Sequence, residues 1–127
     1  MATLADIMTG AVYTCDASTP VAEVCGAMVK GRIGSAVVIE NGWVAGIFTE
    51  RDALRVAAAG VDTTTAPLAD WMTRDPITVE ADLDVSEALQ IMATHGFRHL
   101  PVVQGKDLKG IVSLRDVLAT KIARAPR

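Results

Sequence analysis

The sequence predicts an α/β protein of the α+β kind: two β-α-β-β-α units, related by a pseudo-twofold axis and packed as one module. Three observations predict it. The stretch Gly46-Ile47-Phe48-Thr49-Glu50-Arg51-Asp52 returns 64 positions on as Gly110-Ile111-Val112-Ser113-Leu114-Arg115-Asp116. The same offset relates Leu4-Ala5-Asp6-Ile7-Met8-Thr9 to Leu68-Ala69-Asp70-Trp71-Met72-Thr73, and Val21, Met28, Val38 and Leu54 to Val85, Met92, Val102 and Leu118, with no insertion. Half of the 127 residues are hydrophobic but only 4% are aromatic, which describes an aliphatic core of helices on β-branched strands. A repeat this small cannot bury its own apolar face, so two are expected to pack together. The first unit is placed at 4–60, a polar linker at 61–67 and the second unit at 68–123.

The elements follow in order. Val12-Tyr13-Thr14 is a short β-type run, matched by Ile77-Thr78-Val79. Thr19-Pro20 opens a helix, with Thr as cap and Pro in the first turn. In the second copy Asp84 and Glu87 have capping-box spacing. Val21, Val24, Cys25 and Met28, and likewise Val85, Ala88, Leu89 and Met92, keep the i, i+3, i+4, i+7 rule and read as core. Ala36-Val37-Val38-Ile39 is a buried strand. Asn41-Gly42 is a hairpin turn, and Trp43 to Phe48 returns antiparallel. The second copy repeats this as Leu100 to Val103 and Leu108 to Val112. Pro101 there belongs at a strand start or edge, having no N–H to donate. The last helix of each unit runs from Glu50 to Ala59, stopped by Gly60, and from Leu114 to Ala123.

Charge and composition exclude several classes of function. The net charge of −3 gives no electrostatic case for nucleic acid or an anionic membrane. No apolar run approaches the ~20 residues that span a bilayer, and no secretory signal opens the chain. Cys15 and Cys25 are spaced as neither a redox pair nor a zinc site, and read as free thiols in a reducing cytoplasm. No Ser/His/Asp set, Cys/His set or Walker-type loop is present, so an enzyme is not expected. His95 and His99 are separated by the helix breaker Gly96, and no metal is assigned to them.

Each repeated stretch reads as a strand feeding a helix N-terminus, where free N–H groups and the helix dipole can seat a phosphate. With the paired units and Arg98-His99-Leu100-Pro101-Val102-Val103, these endings resemble a tandem pair of cystathionine β-synthase (CBS) domains, a stand-alone Bateman module, from Leu4 to about Ile122. The resemblance implies a regulatory module that binds adenosine-containing ligands (AMP, ADP, ATP, S-adenosylmethionine or NAD) between its units and forms a homodimer. It implies that Asp52 and Asp116 bond ribose hydroxyls and that Thr49 and Ser113 bond phosphate. Around the base it implies Tyr13 and Thr14, Ile77 and Thr78, Ile33, Gly34 and Ser35, and Arg98, His99 and Leu100.

The chemistry agrees with those assignments. A carboxylate can accept both donors of a cis-diol, in charge-assisted bonds worth ~1.5–3 kcal/mol. The same Thr49–Asp52 and Ser113–Asp116 spacings are also those of simple helix caps, worth ~1 kcal/mol, and the two roles can coexist. Arg51 and Arg115 read as phosphate contacts, as ion pairs across a dimer or as solvated helix residues. Glu50 stands where the second copy has Leu114, so the second site is expected to accept a polyphosphate better. Trp43 flanks the hairpin turn, Trp71 is assigned a packing role, and neither is expected to stack on a base. No cofactor is required; the adenine nucleotide is a regulatory ligand, and the regulated target is a separate protein. The competing expectation is a dimerisation scaffold with degenerate sites.

Overall fold

The computed structural model describes residues 2–123. In chain order the elements are α1 (Leu4–Ile7), β1 (Thr14–Cys15), α2 (Val21–Gly31), β2 (Ser35–Glu40), β3 (Trp43–Thr49) and α3 (Glu50–Ala59). A 3-10 turn, Leu68–Asp70, follows. Then come β4 (Thr73–Arg74), β5 (Val79–Glu80), α4 (Val85–His95), β6 (His99–Gln104), β7 (Asp107–Ser113) and α5 (Leu114–Ala123). The chain forms two compact units: Val12–Pro76 is one, and residues 2–11 with 77–123 are the other.

In the first of these units β1 runs parallel to β2, β2 antiparallel to β3, and β3 antiparallel to β4. The Asn41-Gly42 turn has both residues at positive φ, as a two-residue hairpin requires. The core holds Val21, Val24 and Met28 of α2, Ala36 and Val38 of β2, Phe48 of β3 and Val56 of α3. Leu68 and Met72 close it from the segment after the linker.

In the other unit β5 is parallel to β6 and β6 antiparallel to β7. Its core is Val79, Val85, Ala88, Met92, Leu100, Val102, Val112 and Val117, closed by Ala2 and Leu4. The register shifts between Val38 and Ile39 in one sheet and between Val102 and Val103 in the other, the same place in each repeat.

The compact units do not follow the repeat. The arm of the first copy docks on the second: Leu4 N donates to Leu83 O at 2.9 Å, Ala5 N to Ala81 O at 2.8 Å, and Thr9 pairs with Ile111. The arm of the second copy docks on the first through the matching atoms: Leu68 N to Thr19 O at 2.9 Å, Ala69 N to Ala17 O at 2.8 Å, and Thr73 paired with Ile47. The linker is part of this arrangement. Ala66 O and Thr63 O accept from Val21 N and Ala22 N, both at 2.9 Å, which satisfies donors at the start of α2. In the other unit Ala2 O accepts from Val85 N at 3.1 Å.

Those carbonyls explain one departure from expectation. Thr19 does not cap α2; Pro20 holds the N-cap position without a side-chain bond, and Thr19 Oγ1 accepts from Asp16 N at 3.2 Å. Asp84 does cap α4, accepting from Ser86 N at 2.7 Å. The first strand of each copy also begins later than Val12 and Ile77, at Thr14 and Val79, because only the residues facing Val37 and Val38, or Val102 and Val103, find a partner strand. Pro101 is the third residue of the central strand β6, not an edge residue; the ladder from β5 reaches only Val102 and Val103 and leaves Pro101 outside it.

Each arm ends on a glycine of the facing strand. A Cβ on Gly110 would lie 2.8 Å from Thr9 O and 2.9 Å from Met8 Sδ. The backbone oxygen cannot swing aside as a side chain can. Gly110→Ala is therefore expected to lower stability by about 1–3 kcal/mol through overpacking, read as a lower midpoint in urea. At Gly46 the equivalent Cβ meets only the flexible Met72 side chain, at 2.6 Å from Sδ. Gly46→Ala is expected to cost less than Gly110→Ala.

Candidate functional site

The two strand-to-helix ends are built alike and finished differently. At the first, β3 delivers Thr49 as the N-cap of α3, with extended backbone. Asp52, three residues on, reaches back: its Oδ2 accepts from Thr49 N at 2.9 Å and from Thr49 Oγ1 at 3.2 Å. Its Oδ1 accepts from Arg55 Nη1 at 2.9 Å, an ion pair one turn along the helix. The Asp52 side chain is only 8% exposed, whereas that of Arg55 is 56% exposed. The Arg55 guanidinium lies over the Trp71 ring, 5.7 Å from its centroid. The Gly34 carbonyl accepts from Glu50 N at 3.2 Å, and Ser35, buried, stands across the ladder from Thr49.

At the second end Ser113 is the cap and the bond runs the other way: Ser113 Oγ accepts from Asp116 N at 3.1 Å. Among the described residues no hydrogen bond or ion pair engages the Asp116 carboxylate, which is half-buried. The Arg98 carbonyl accepts from Leu114 N at 2.7 Å, and His99 faces Ser113 across the ladder. Both units thus place the segment before the second strand directly against the helix start. Ile33, Gly34 and Ser35 are brought to Thr49 and Asp52; Arg98, His99 and Leu100 are brought to Ser113 and Asp116.

The remaining candidates fall around these ends with different access. Tyr13 O accepts from Val37 N at 3.0 Å, and the Tyr13 ring is half-buried against the core. Ile33 and Ile77 also pack partly against their cores. Thr14, Thr78, Arg98, Arg51 and Arg115 are exposed. Leu100 is wholly buried, so any ligand contact it makes is through its backbone.

Other chemistry-bearing groups are turned to packing. Burial, with Asp16 and Glu23 adding repulsion, pushes the Cys15 thiol up to about 11, and burial raises Cys25 as well. Both stay protonated near neutral pH and are poor nucleophiles. Burial likewise raises Tyr13. His95 stacks on Phe97 with ring centroids 5.3 Å apart. Gly96 takes the left-handed C-cap of α4 and His99 opens β6. Among the described residues no group of three or more His, Cys, Asp or Glu is placed to hold a metal ion, and no helix is long and apolar enough to cross a membrane.

Trp71 packs partly against the core, as expected of it, and in addition carries the Arg55 cation. Arg55 itself drew no attention in the sequence. Its i+3 spacing from Asp52 was the available signal.

Comparison with known proteins agrees with this architecture. The CBS domain family matches twice, over residues 4–59 and 68–122. The CBS domain-containing protein YhcV of Bacillus subtilis is 32% identical over 124 residues, covering 97% of this chain and 88% of that protein. A CBS-domain protein of known structure from Burkholderia ambifaria superposes with a TM-score of 0.91 at 28% identity, covering 99% of this chain and 98% of the other. The CBS domain pair of protein MJ0100, solved with 5′-methylthioadenosine and S-adenosyl-L-methionine, shares the fold at a TM-score of 0.90 and 21% identity, covering 98% and 99% of the two chains. With the family matched over both repeats, the chain belongs to the CBS domain family and carries two CBS domains in tandem.

Proposed function

We propose that the protein is a regulatory module that binds an adenosine-containing ligand at its Thr49–Asp52 and Ser113–Asp116 helix ends and acts on a separate partner protein. The observation that carries this reading is the Asp116 end. A helix N-terminus there has a serine at its cap, a carboxylate with no partner among the described residues, and a strand segment set against its first turn. A cis-diol would supply the two donors this carboxylate lacks, and the N–H groups of the first turn would take a phosphate. The fold is shared with a CBS pair solved with two adenosine derivatives, which supports that ligand class. AMP, ADP, ATP, S-adenosylmethionine and NAD all present the required diol. The module would need no cofactor, and its free thiols suit the cytoplasm.

A thermal-shift series with these compounds tests the reading. Ligand at ~100 times its Kd adds ~2.7 kcal/mol of stability, and Asp116→Ala should reduce that gain. No gain with any of them would refute it. A second reading, a dimerisation scaffold whose first site is filled by its own side chains, is favoured by the engaged Asp52 carboxylate and by exposed Leu54, Leu118 and Ile122 on α3 and α5. It predicts a homodimer with no ligand response, separable by sedimentation.

A further inference from the structure

We propose that Arg55 is a positioning residue that holds the Asp52 carboxylate closed against a ligand, and that a diol opens it by displacing the guanidinium, a change reported by Trp71. The proposal rests on the function given above.

A carboxylate offers about four lone-pair positions. At Asp52 the Thr49 amide and hydroxyl occupy two on Oδ2, and Arg55 occupies one on Oδ1. A cis-diol needs two, so it cannot be seated in full while Arg55 stays. Thr49 is fixed by its place at the helix start, where its amide has no other partner in the helix. Arg55 is more than half exposed and can turn into solvent, while the incoming diol takes over the hydrogen bond it gave to the buried Asp52 carboxylate. The arginine is therefore the partner that yields.

Its release has a built-in reporter. In the closed arrangement the guanidinium lies over the indole of Trp71. Trp71 lies within the docked arm, which runs on through β4 to the segment that joins the two compact units. Losing the cation changes the electrostatic surroundings of that ring and removes one tether between α3 and the arm. Occupancy at Asp52 is thereby felt in the connecting segment.

The device exists in one repeat alone. At the 64-residue offset, Arg55 corresponds to Ala119 and Trp71 to Ile7. Asp116 has no such partner among the described residues. Among the described residues the two ends therefore differ in kind: the Asp116 carboxylate has no ion-pair partner, and the Asp52 carboxylate opens only against one.

The experiment uses the full chain carrying Asp116→Asn, to silence the open end, and Trp43→Phe, to leave Trp71 as the lone indole. AMP and 2′,3′-dideoxy-AMP are titrated by calorimetry and by Trp71 fluorescence. AMP should shift Trp71 emission with saturation, and the dideoxy compound should not. Adding Arg55→Ala should tighten AMP binding by up to about fivefold, the upper end for a partly exposed ion pair, and abolish the emission change. Arg55→Lys should keep both the weaker affinity and the emission response. Unchanged or weaker AMP binding in Arg55→Ala, with the Asp52 end still binding, would overturn the role of Arg55 alone. Absence of any AMP binding to the unaltered protein would overturn the nucleotide reading and this inference together.

Discussion

Replacing Phe48 by alanine should lower the stability of the Val12–Pro76 unit by about 3–5 kcal/mol, the range for emptying a fully buried aromatic site. Phe48 has no exposed surface and packs in the cluster that joins α2, β2, α3 and the docked arm. Its counterpart in the other core is Val112, so the two cores are filled differently at the same position. The expected signature is local. Hydrogen exchange should speed up across α2, β2 and β3 and change less in β6 and β7. Uniform acceleration over both units would show that they unfold as one.

The second large effect is expected far from where the sequence would place it. Leu4→Ala should destabilise the unit made by residues 2–11 and 77–123 by about 2–5 kcal/mol. Leu4 is completely buried, and the core it joins is that of Val85, Ala88, Met92 and Leu100, not the one formed by α2, β2 and β3 of its own repeat. Exchange protection should therefore fall in α4, β6 and β7 while α2 and β2 keep theirs. The matching substitution Leu68→Ala should give the mirror-image pattern. Loss of protection within the first repeat on Leu4→Ala would contradict the arm's placement.

These two positions show what the amino-acid pattern could and could not reveal. The bounds of α3 and α5, the Asn41-Gly42 hairpin and the core faces of α2 and α4 were legible, because capping residues, turn glycines and helical spacing act locally. The destination of each arm was not. Leu4 to Thr9 and Leu68 to Thr73 are near-copies, so periodicity shows that each has an apolar face and says nothing of which unit receives it. Thr19 misled for a related reason: α2 takes its first acceptors from Thr63 and Ala66, a tertiary solution that no local motif announces.

At the candidate site, the motif residues and their neighbours across the ladder could be named from the repeat. The division of labour between the two carboxylates could not. Asp52 and Asp116 stand in the same motif, and the side chain one turn further along gives only the first an ion-pair partner: Arg55 in one copy, Ala119 in the other. A motif records the residues held in common, whereas the difference in accessibility to a ligand resides in a neighbour outside it.

The crossed arms have a consequence for how such a protein could be divided. Cleavage within 61–67 would not yield two self-sufficient halves, since either fragment would carry the other's closing strap. Mixed in one tube, the fragments should reassemble. A lone ancestral copy could complete its own core only by clasping a twin molecule, and fusing two copies end to end would make that embrace permanent.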